Sequence, residues 1–208
     1  MTKRSANESI KGYSYQFDHT IVQILECNNP ETEFVIEGIE DVDVLKGNLS
    51  TFVQCKYYEG TDYNHSKIKP AVISMLKHFR TLINGGNSSV QYKIYGHFKE
   101  GQEKLPNDFN LDFLKRSLLT YVKDGTTHKV YNQLGLTDIQ LEQFNSSLDI
   151  DLYARTYDEQ RAYIINNLLL HKIPSCMNRE DSQLFFYPSA ATVIQAIAIR
   201  KNIGNCPA

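Results

Sequence analysis

Two short apolar runs near the start of the chain constrain the fold more than any other feature. Residues 34–44 read Phe-Val-Ile-Glu-Gly-Ile-Glu-Asp-Val-Asp-Val, and residues 51–58 read Thr-Phe-Val-Gln-Cys-Lys-Tyr-Tyr. Both runs are rich in β-branched and aromatic residues, which favour strands. The sequence Lys46-Gly47-Asn48 lies between them and suits a tight turn. The pattern therefore predicts a β-hairpin.

Polar residues interrupt both predicted strands at alternate positions. Side chains two residues apart share one face of a strand, so Glu37, Asp41 and Asp43 should point the same way. By the same rule Gln54 and Lys56 share a face of the second strand. The hairpin would therefore bring several carboxylates, one amide and one ammonium group together on a single patch.

This set of polar groups is suited to a divalent metal. Magnesium prefers oxygen ligands, and proteins often supply only one or two carboxylates. Asp41 is the predicted carboxylate ligand, and Gln54 can offer its side-chain carbonyl oxygen. The backbone carbonyl of Cys55 is a further candidate ligand. Glu37 could hold the metal through a water molecule, with Asp43 as the competing choice.

Lys56 would then lie close to a water molecule at the metal. A positive charge there lowers the pKa of the water or stabilises the hydroxide that forms. Phosphodiester hydrolysis needs a metal on the phosphate oxygen, a positioned water and a counter-charge for the transition state. The residues therefore favour a phosphodiesterase that uses Mg²⁺, for which Mn²⁺ can substitute.

The composition limits the class of protein. The 208 residues are 41% hydrophobic, which suffices for one sizeable domain or a core with a large insertion. The 22 basic and 24 acidic residues give no strongly basic tail, and the four cysteines contain no CxxC pair. No apolar signal sequence follows Met1, and the apolar stretch 190–199 is too short and too polar to span a bilayer. We therefore expect a soluble, cytoplasmic protein that does not bind a membrane.

The spacing of apolar residues predicts the remaining elements. Helices are expected over 13–25, 69–83, 110–122, 137–144, 158–170 and 190–200, with strands over 90–98 and between 150 and 157. The segment up to Ile10 is expected to be loose, and Asn-Gly-Gly-Asn at 84–87 should end the second helix. The predicted fold is α/β. Residues 1–100 would form the core, and 101–208 a mostly helical extension packed on it, in the same domain or as a subdomain.

Several motifs resemble a known nuclease superfamily. Asp41, followed thirteen residues later by Gln54-Cys55-Lys56, resembles the PD-(D/E)xK phosphodiesterase core in the QxK variant of Mrr-like restriction endonucleases. Gly-Tyr-Ser-Tyr-Gln at 12–16, the acids at 37, 40 and 41, and Gln-Cys-Lys-Tyr at 54–57 resemble the DNA endonuclease domain of bacterial anti-phage effectors. Such domains occur in CBASS effectors and antiviral STAND ATPases. Phe-Phe-Tyr-Pro-Ser-Ala at 185–190 resembles the end of these domains, but otherwise 101–208 matches only in general character.

The resemblance implies both a fold and an activity. The fold would be a restriction-endonuclease-like core of helix, mixed sheet and helix. Asp41, Gln54 and Lys56 would take the catalytic positions, with Glu37 as a supporting acid. The activity would be metal-dependent cleavage of double-stranded DNA with little sequence specificity, in an anti-phage defence effector. The active form would be a homo-oligomer or an assembly with a sensor or ATPase module.

The chain departs from the superfamily pattern at two places. Many members carry an acid on the first helix, where this chain offers Gln16, with Asp18 or Glu26 as alternatives. The proline that usually precedes the catalytic aspartate is also absent.

Basic and aromatic residues follow the second predicted strand. Residues 56–80 carry five basic residues and two acidic ones. Lys67 and Lys69, together with Tyr57 and Tyr58, are candidate DNA contacts on this basis. An ordinary solvated helix face would show the same pattern.

Two other functions are consistent with the same residues. The chain could be a catalytically inactive interaction module that docks an ATPase or sensor partner, with the hairpin acids serving as a charged strand edge that discourages aggregation. It could also be an RNase on the same scaffold.

Overall fold

A mixed five-stranded sheet lies at the centre of the computed structural model, which describes residues 6–83 and 89–203 and side chains up to residue 200. The strands are β1 Glu33–Ile36, β2 Val42–Lys46, β3 Leu49–Tyr58, β4 Ser89–Phe98, β5 Thr120–Lys123, β6 Thr126–Lys129 and β7 Leu148–Asp151. The central sheet has the order β1-β2-β3-β4-β7, and β5 pairs with β6 alone. The strands from β1 to β3 are antiparallel, whereas β3, β4 and β7 run parallel.

Helices cover both faces of this sheet. They are α1 Ala6–Glu26, α2 His65–Leu82, α3 Leu111–Phe113, α4 Val130–Gln133, α5 Asp138–Ser147, α6 Tyr157–Tyr163, α7 Leu169–Lys172, α8 Arg179–Asp181 and α9 Tyr187–Ile203. A π-helical turn, Leu114–Leu118, extends α3, and two further π-helical turns join α6 to α7 and α8 to α9. The predicted α/β class, with helices around a mixed sheet and a helical C-terminal region, is confirmed.

The two faces of β3 belong to two different cores. Val53, Cys55 and Tyr57 face α1 and pack in one cluster with Tyr15 of that helix. Phe52 lies on the opposite face, in the larger cluster that includes the buried side of α2. Since successive side chains of a strand point to opposite faces, both layers are fixed by the alternation that the sequence showed.

Residues beyond 100 complete the larger core. Leu114, Leu118 and Phe144 are fully buried in the cluster that contains Phe52 and Tyr92. Strand β7 extends the sheet beside β4. The sheet and its core therefore cross the predicted boundary at residue 100. The last helices pack on α1, in a cluster that also contains Ile36 of β1.

The first apolar run forms two strands rather than one. Strand β1 ends before Glu37, which has a positive φ of 52°, and β2 begins after Asp41. The prediction of a single strand over 34–44, with Glu37, Asp41 and Asp43 on one face, is therefore wrong. The three acids lie in and just after a turn, and each has a different environment.

Asp43 explains why the strand breaks. Its Oδ2 accepts a hydrogen bond of 2.8 Å from the Ile39 N–H, and its Oδ1 accepts one of 3.1 Å from the Glu40 N–H. A Cβ atom at Gly38 would overlap this carboxylate, so glycine is required where the turn approaches it. The Asp43 carboxylate thus accepts hydrogen bonds from two backbone N–H groups that a neighbouring strand would have bonded if the strand had continued.

Side-chain caps set where two helices begin. The Asn64 side chain accepts from the Ser66 N–H, so α2 begins four residues before the predicted start at 69. A capping box of Thr156 and Glu159 starts α6 and makes Thr156, rather than Asp158, the N-cap. Helix α1 also begins early, and residues 6–10, which were expected to be loose, are helical. The predicted stop at 84–87 lies outside the described residues.

A small hairpin replaces the end of a predicted helix. The helix predicted over 110–122 ends at Leu118, and β5 and β6 follow it. Asp124 and Gly125 have φ values of 51° and 73°, which a two-residue type I′ turn requires. The prediction of helix through Val122 is therefore wrong. The strand expected between 150 and 157 lies earlier, at Leu148–Asp151.

The last helix is apolar and largely exposed. In the parts of the chain that the structure describes, Arg179–Arg200 is the one helical segment long and apolar enough to cross a membrane by length and composition. Only 17% of its most apolar window is buried, and a single such helix is weak evidence for a membrane span. The stretch 190–199, which was expected to be too short for this, is part of that longer helix.

Candidate active site

A cleft of about 380 Å³ opens between the first half of α1 and the second half of β3. The structure brings most of the predicted site residues to this cleft: Gln16, Glu37, Asp41, Gln54, Cys55, Lys56, Tyr57 and Tyr58 all line it. Asp43, Lys67 and Lys69 do not. The side chains converge although Glu37 and Asp41 lie in a turn and not on a strand.

Asp41 sits where β2 and β3 separate. The ladder between them ends at Val42 and Val53, and the Cys55 N–H, two residues on, donates to Asp41 Oδ2 at 2.7 Å. The Gln54 amide Nε2 donates to the same oxygen. Because the N–H and C=O of one strand residue point to the same side, the Cys55 carbonyl faces this gap as well.

Burial and the neighbouring groups have opposite effects on the pKa of the Asp41 carboxyl. Burial raises the pKa of the Asp41 carboxyl, because it disfavours the ionised form. The Cys55 N–H, the positive charge of Lys56 and the Gln54 amide all act to lower this pKa, but the net shift is upward. A divalent cation beside Asp41 would favour its ionised form.

Glu37 is held at the side of the cleft by α1. The Gln16 Nε2 atom donates a hydrogen bond to Glu37 Oε1. Of the three first-helix candidates, only Gln16 lines the cleft. Asp18 is buried against Tyr187 in a separate pocket, and Glu26 is the last residue of α1. The first helix therefore contributes to the cleft an amide, Gln16, that binds an acid of the turn.

Glu40 is a buried acid next to the site. The sequence predictions assigned Glu40 no role there. Its side chain is 8% exposed, and its Oε1 has no hydrogen-bond partner within the described chain. Burial, followed by the charge of Asp41, raises the pKa of Glu40 to about 7, while Lys56 opposes this shift. The signal available in the sequence was its position directly before Asp41.

The candidate DNA contacts have different roles in the structure. The Lys67 Nζ lies 5.2 Å from the ring centre of Tyr58, at the rim of the cleft. The Lys69 Nζ instead donates a 2.6 Å hydrogen bond to the backbone carbonyl of Thr120. Tyr57 is mostly buried against α1, so little of it can reach a ligand.

The donor set of the cleft fits a hard cation and not zinc. Asp41, Gln54, Glu37 and the Cys55 carbonyl offer oxygen atoms, which suit Mg²⁺ or Mn²⁺. Burial raises the pKa of the Cys55 thiol well above its usual value, so the thiolate that zinc prefers is disfavoured. No group of three or more His, Cys, Asp or Glu side chains arranged for a metal occurs in residues 6–83 and 89–203. A cation here would depend on amide, backbone and water oxygens as well as carboxylates.

Comparison of the chain with protein-family models, with curated proteins and with solved structures found no match. The assignment of a function therefore depends on the chemistry of this cleft and on the motifs that line it.

A second polar cluster lies between α1 and the last helices, in a pocket that shares Tyr13 and Glu37 with the cleft. The Tyr187 hydroxyl donates to Asp18 Oδ1 at 2.8 Å, and the Arg161 Nε lies 3.6 Å from Asp18 Oδ2. Burial raises the pKa of Asp18 to about 6, although Tyr187 and Arg161 both act to lower it. The folded chain therefore holds a proton on this carboxyl more tightly than the unfolded chain does.

This shift predicts a pH dependence of stability. Because the pKa of Asp18 is higher in the folded state, its contribution is complete below about pH 4 and is lost as the pH rises through about 6. Relative to the Asp18→Asn variant, the free energy of unfolding of the parent should fall by about 2–3 kcal/mol between pH 4 and pH 8. Urea denaturation of both proteins across this range measures the difference. A difference that stays constant with pH would contradict the assignment.

Proposed function

We propose that this chain is a metal-dependent endonuclease that hydrolyses double-stranded DNA with little sequence specificity. The observation that carries the proposal is the convergence of Asp41, Gln54 and Lys56 on one cleft, with Glu37 at its side. The resemblance of the surrounding motifs to the QxK branch of the PD-(D/E)xK superfamily supports the same activity.

The cleft residues would divide into ligands and a counter-charge. Asp41, the Cys55 carbonyl and the Gln54 Oε1, after rotation of its amide, would hold Mg²⁺ or Mn²⁺, with Glu37 acting through water. When bound, the cation would polarise the phosphate and lower the pKa of a water molecule. Lys56 would hold that water and offset the charge that builds up on the phosphate.

The resemblance also supports a biological role. We propose that the protein acts in the cytoplasm of bacteria as an effector of phage defence, in a homo-oligomer or an assembly with a sensor or ATPase module. One cleft hydrolyses one phosphodiester at a time, and an assembly would bring several clefts to one DNA molecule.

A plasmid assay tests the activity. The protein is incubated with supercoiled plasmid and Mg²⁺ or Mn²⁺ over a series of protein concentrations, so that assembly can occur. We expect nicking and fragmentation that EDTA stops and that the Asp41→Ala variant lacks. Equal cleavage by this variant would remove the assigned site. Cleavage of RNA but not of plasmid would make the protein an RNase on the same scaffold.

The second candidate function is a catalytically inactive module that docks an ATPase or sensor. It is favoured by one observation, that within the described chain no group of three acids, histidines or cysteines is arranged for a metal. Under this alternative the parent protein would cleave neither DNA nor RNA, and Mn²⁺ would not bind at Asp41.

A further inference from the structure

The hairpin of β5 and β6 projects from the body of the protein. These strands pair only with each other, and every residue from Val122 to Thr127 is exposed. Val122 itself is 69% exposed, although it is apolar. A two-stranded hairpin is marginally stable by itself, and this one contributes only Tyr121, at its base, to the core. Packing therefore does not account for its projecting length.

Lysine contacts connect this hairpin to the rim of the cleft. The Lys69 Nζ donates to the Thr120 carbonyl at the base of β5. Two residues earlier on α2, Lys67 lies over the ring of Tyr58, which lines the cleft. The base of the hairpin is thus attached to the first turns of α2, beside the cleft. Burial at this contact lowers the pKa of Lys69, which fits a positioning role better than a free DNA contact.

The hairpin carries unpaired positive charge. Lys123 near its tip and Lys129 at its base are exposed, and neither forms an ion pair with any described residue. Arg116, just before the hairpin, is also exposed, whereas Asp124 is the single acid between β5 and β6. The exposed threonines 126 and 127 add neutral hydroxyl groups, whereas the Thr120 hydroxyl donates to the Lys115 carbonyl. Lysine and threonine side chains are typical phosphate contacts in protein–DNA complexes.

We propose that the β5–β6 hairpin is a duplex-binding arm that lies against the backbone of the DNA whose scissile phosphate enters the cleft. This inference rests on the proposed function. A two-stranded ribbon fits the major groove of B-DNA. A four-residue strand spans about 13 Å, so the hairpin would extend the DNA contact by that length beyond the first turns of α2. Contacts from Lys123 and Lys129 to phosphates would raise affinity without adding sequence preference.

Salt-dependent binding of a DNA duplex tests the arm. The arm variant, Lys123→Gln/Lys129→Gln, is compared with the parent and with a control variant, Lys46→Gln/Lys172→Gln. The control removes the same charge at the end of the sheet and of α1 that lies opposite the cleft. Affinity for a labelled duplex is measured by fluorescence anisotropy in EDTA over a salt series. We expect the arm variant to lower the slope of log K against log salt by about 1.8 and to weaken binding roughly tenfold to a hundredfold. The control should keep the slope of the parent.

Hydrolysis of a small phosphodiester separates the arm from the active site. With Mn²⁺, bis(p-nitrophenyl) phosphate should be hydrolysed equally by the parent and the arm variant, because it is too small to reach the hairpin. A parent protein that hydrolyses neither this compound nor plasmid would overturn the proposed function. The salt dependence of duplex binding would still show whether the β5–β6 hairpin contacts DNA. An unchanged slope in the arm variant, or a larger loss for single-stranded DNA than for duplex, would overturn the arm. Thermal unfolding of each variant verifies the fold.

Discussion

Replacing Lys56 with alanine is expected to lower the rate of plasmid cleavage by about a thousandfold while leaving the protein folded. Among the described residues that line the cleft, Lys56 is the one with a cationic side chain. Its charge already acts to lower the pKa values of Asp41 and Glu40. Under the proposed mechanism, its removal takes away the counter-charge that the protein itself supplies to the attacking water and to the transition state, and leaves only the cation. Single-turnover cleavage of a labelled plasmid measures the loss.

A second lysine of the sheet provides the control for this change. Lys93 lies on the neighbouring strand β4 and pairs with Asp149 at 3.3 Å, away from the cleft. The Lys93→Ala variant should cleave within about threefold of the parent, because an exposed ion pair contributes little to stability. If Lys56→Ala and Lys93→Ala lost activity equally, or if neither did, the role assigned to Lys56 would be wrong.

Replacing Phe144 with alanine is expected to lower the free energy of unfolding by about 3–5 kcal/mol. Phe144 on α5 is fully buried, and its ring centre lies 5.5 Å from that of Phe79 and 5.6 Å from that of Tyr92. These neighbours belong to the first hundred residues, so the cavity would form between the two halves of the chain. The effect should therefore appear in a single unfolding transition of the whole protein.

Urea denaturation followed by both circular dichroism and tyrosine fluorescence measures this change. The matched control is Phe185→Ala, since Phe185 is 64% exposed and its removal should change stability by less than about 0.5 kcal/mol. Two separate transitions, with only the second half destabilised by Phe144→Ala, would show that 101–208 folds independently. A single transition that Phe144→Ala shifts by the same amount, whichever probe follows it, would show that the chain unfolds as one cooperative unit.

The sequence was most informative where local pattern and local chemistry agree. The turn at Gly47, which has a φ of 58°, joins β2 to β3 as predicted. The alternation in β3 predicted Gln54 and Lys56 on one face, and both line the same cleft as Asp41. These features follow from the two-residue period of a strand and from glycine in a tight turn.

The sequence was misleading where a turn imitates the pattern of a strand. The alternation of Ile39, Asp41 and Asp43 continued across residues that form a turn, so one strand was predicted in place of two. Gly38 was the available warning, because glycine inside a strand pattern often marks a break. That Asp43 would close this turn with both oxygens depends on three-dimensional contacts that no spacing rule contains.

Two other features could not be deduced from apolar spacing. Leu118, Leu119 and Val122 fit a helical period, which hid the hairpin, although Asp124-Gly125 is a strong hairpin signal. The burial of Glu40 depends on how the turn folds over β3, so its sequence position alone suggested an exposed charge. Local turn chemistry, which apolar spacing does not register, decided the hairpin, whereas tertiary contacts decided the burial of Glu40.

The most direct test of the account is the position of a bound metal. In a crystal of the protein soaked with Mn²⁺, anomalous scattering should show one ion about 2.1 Å from a carboxylate oxygen of Asp41. The Gln54 side-chain oxygen and the Cys55 carbonyl should lie in the same coordination shell, with Lys56 close to a metal-bound water. An ion bound elsewhere, or a cleft that stays empty at millimolar Mn²⁺, would contradict the assignment of this cleft as a nuclease site.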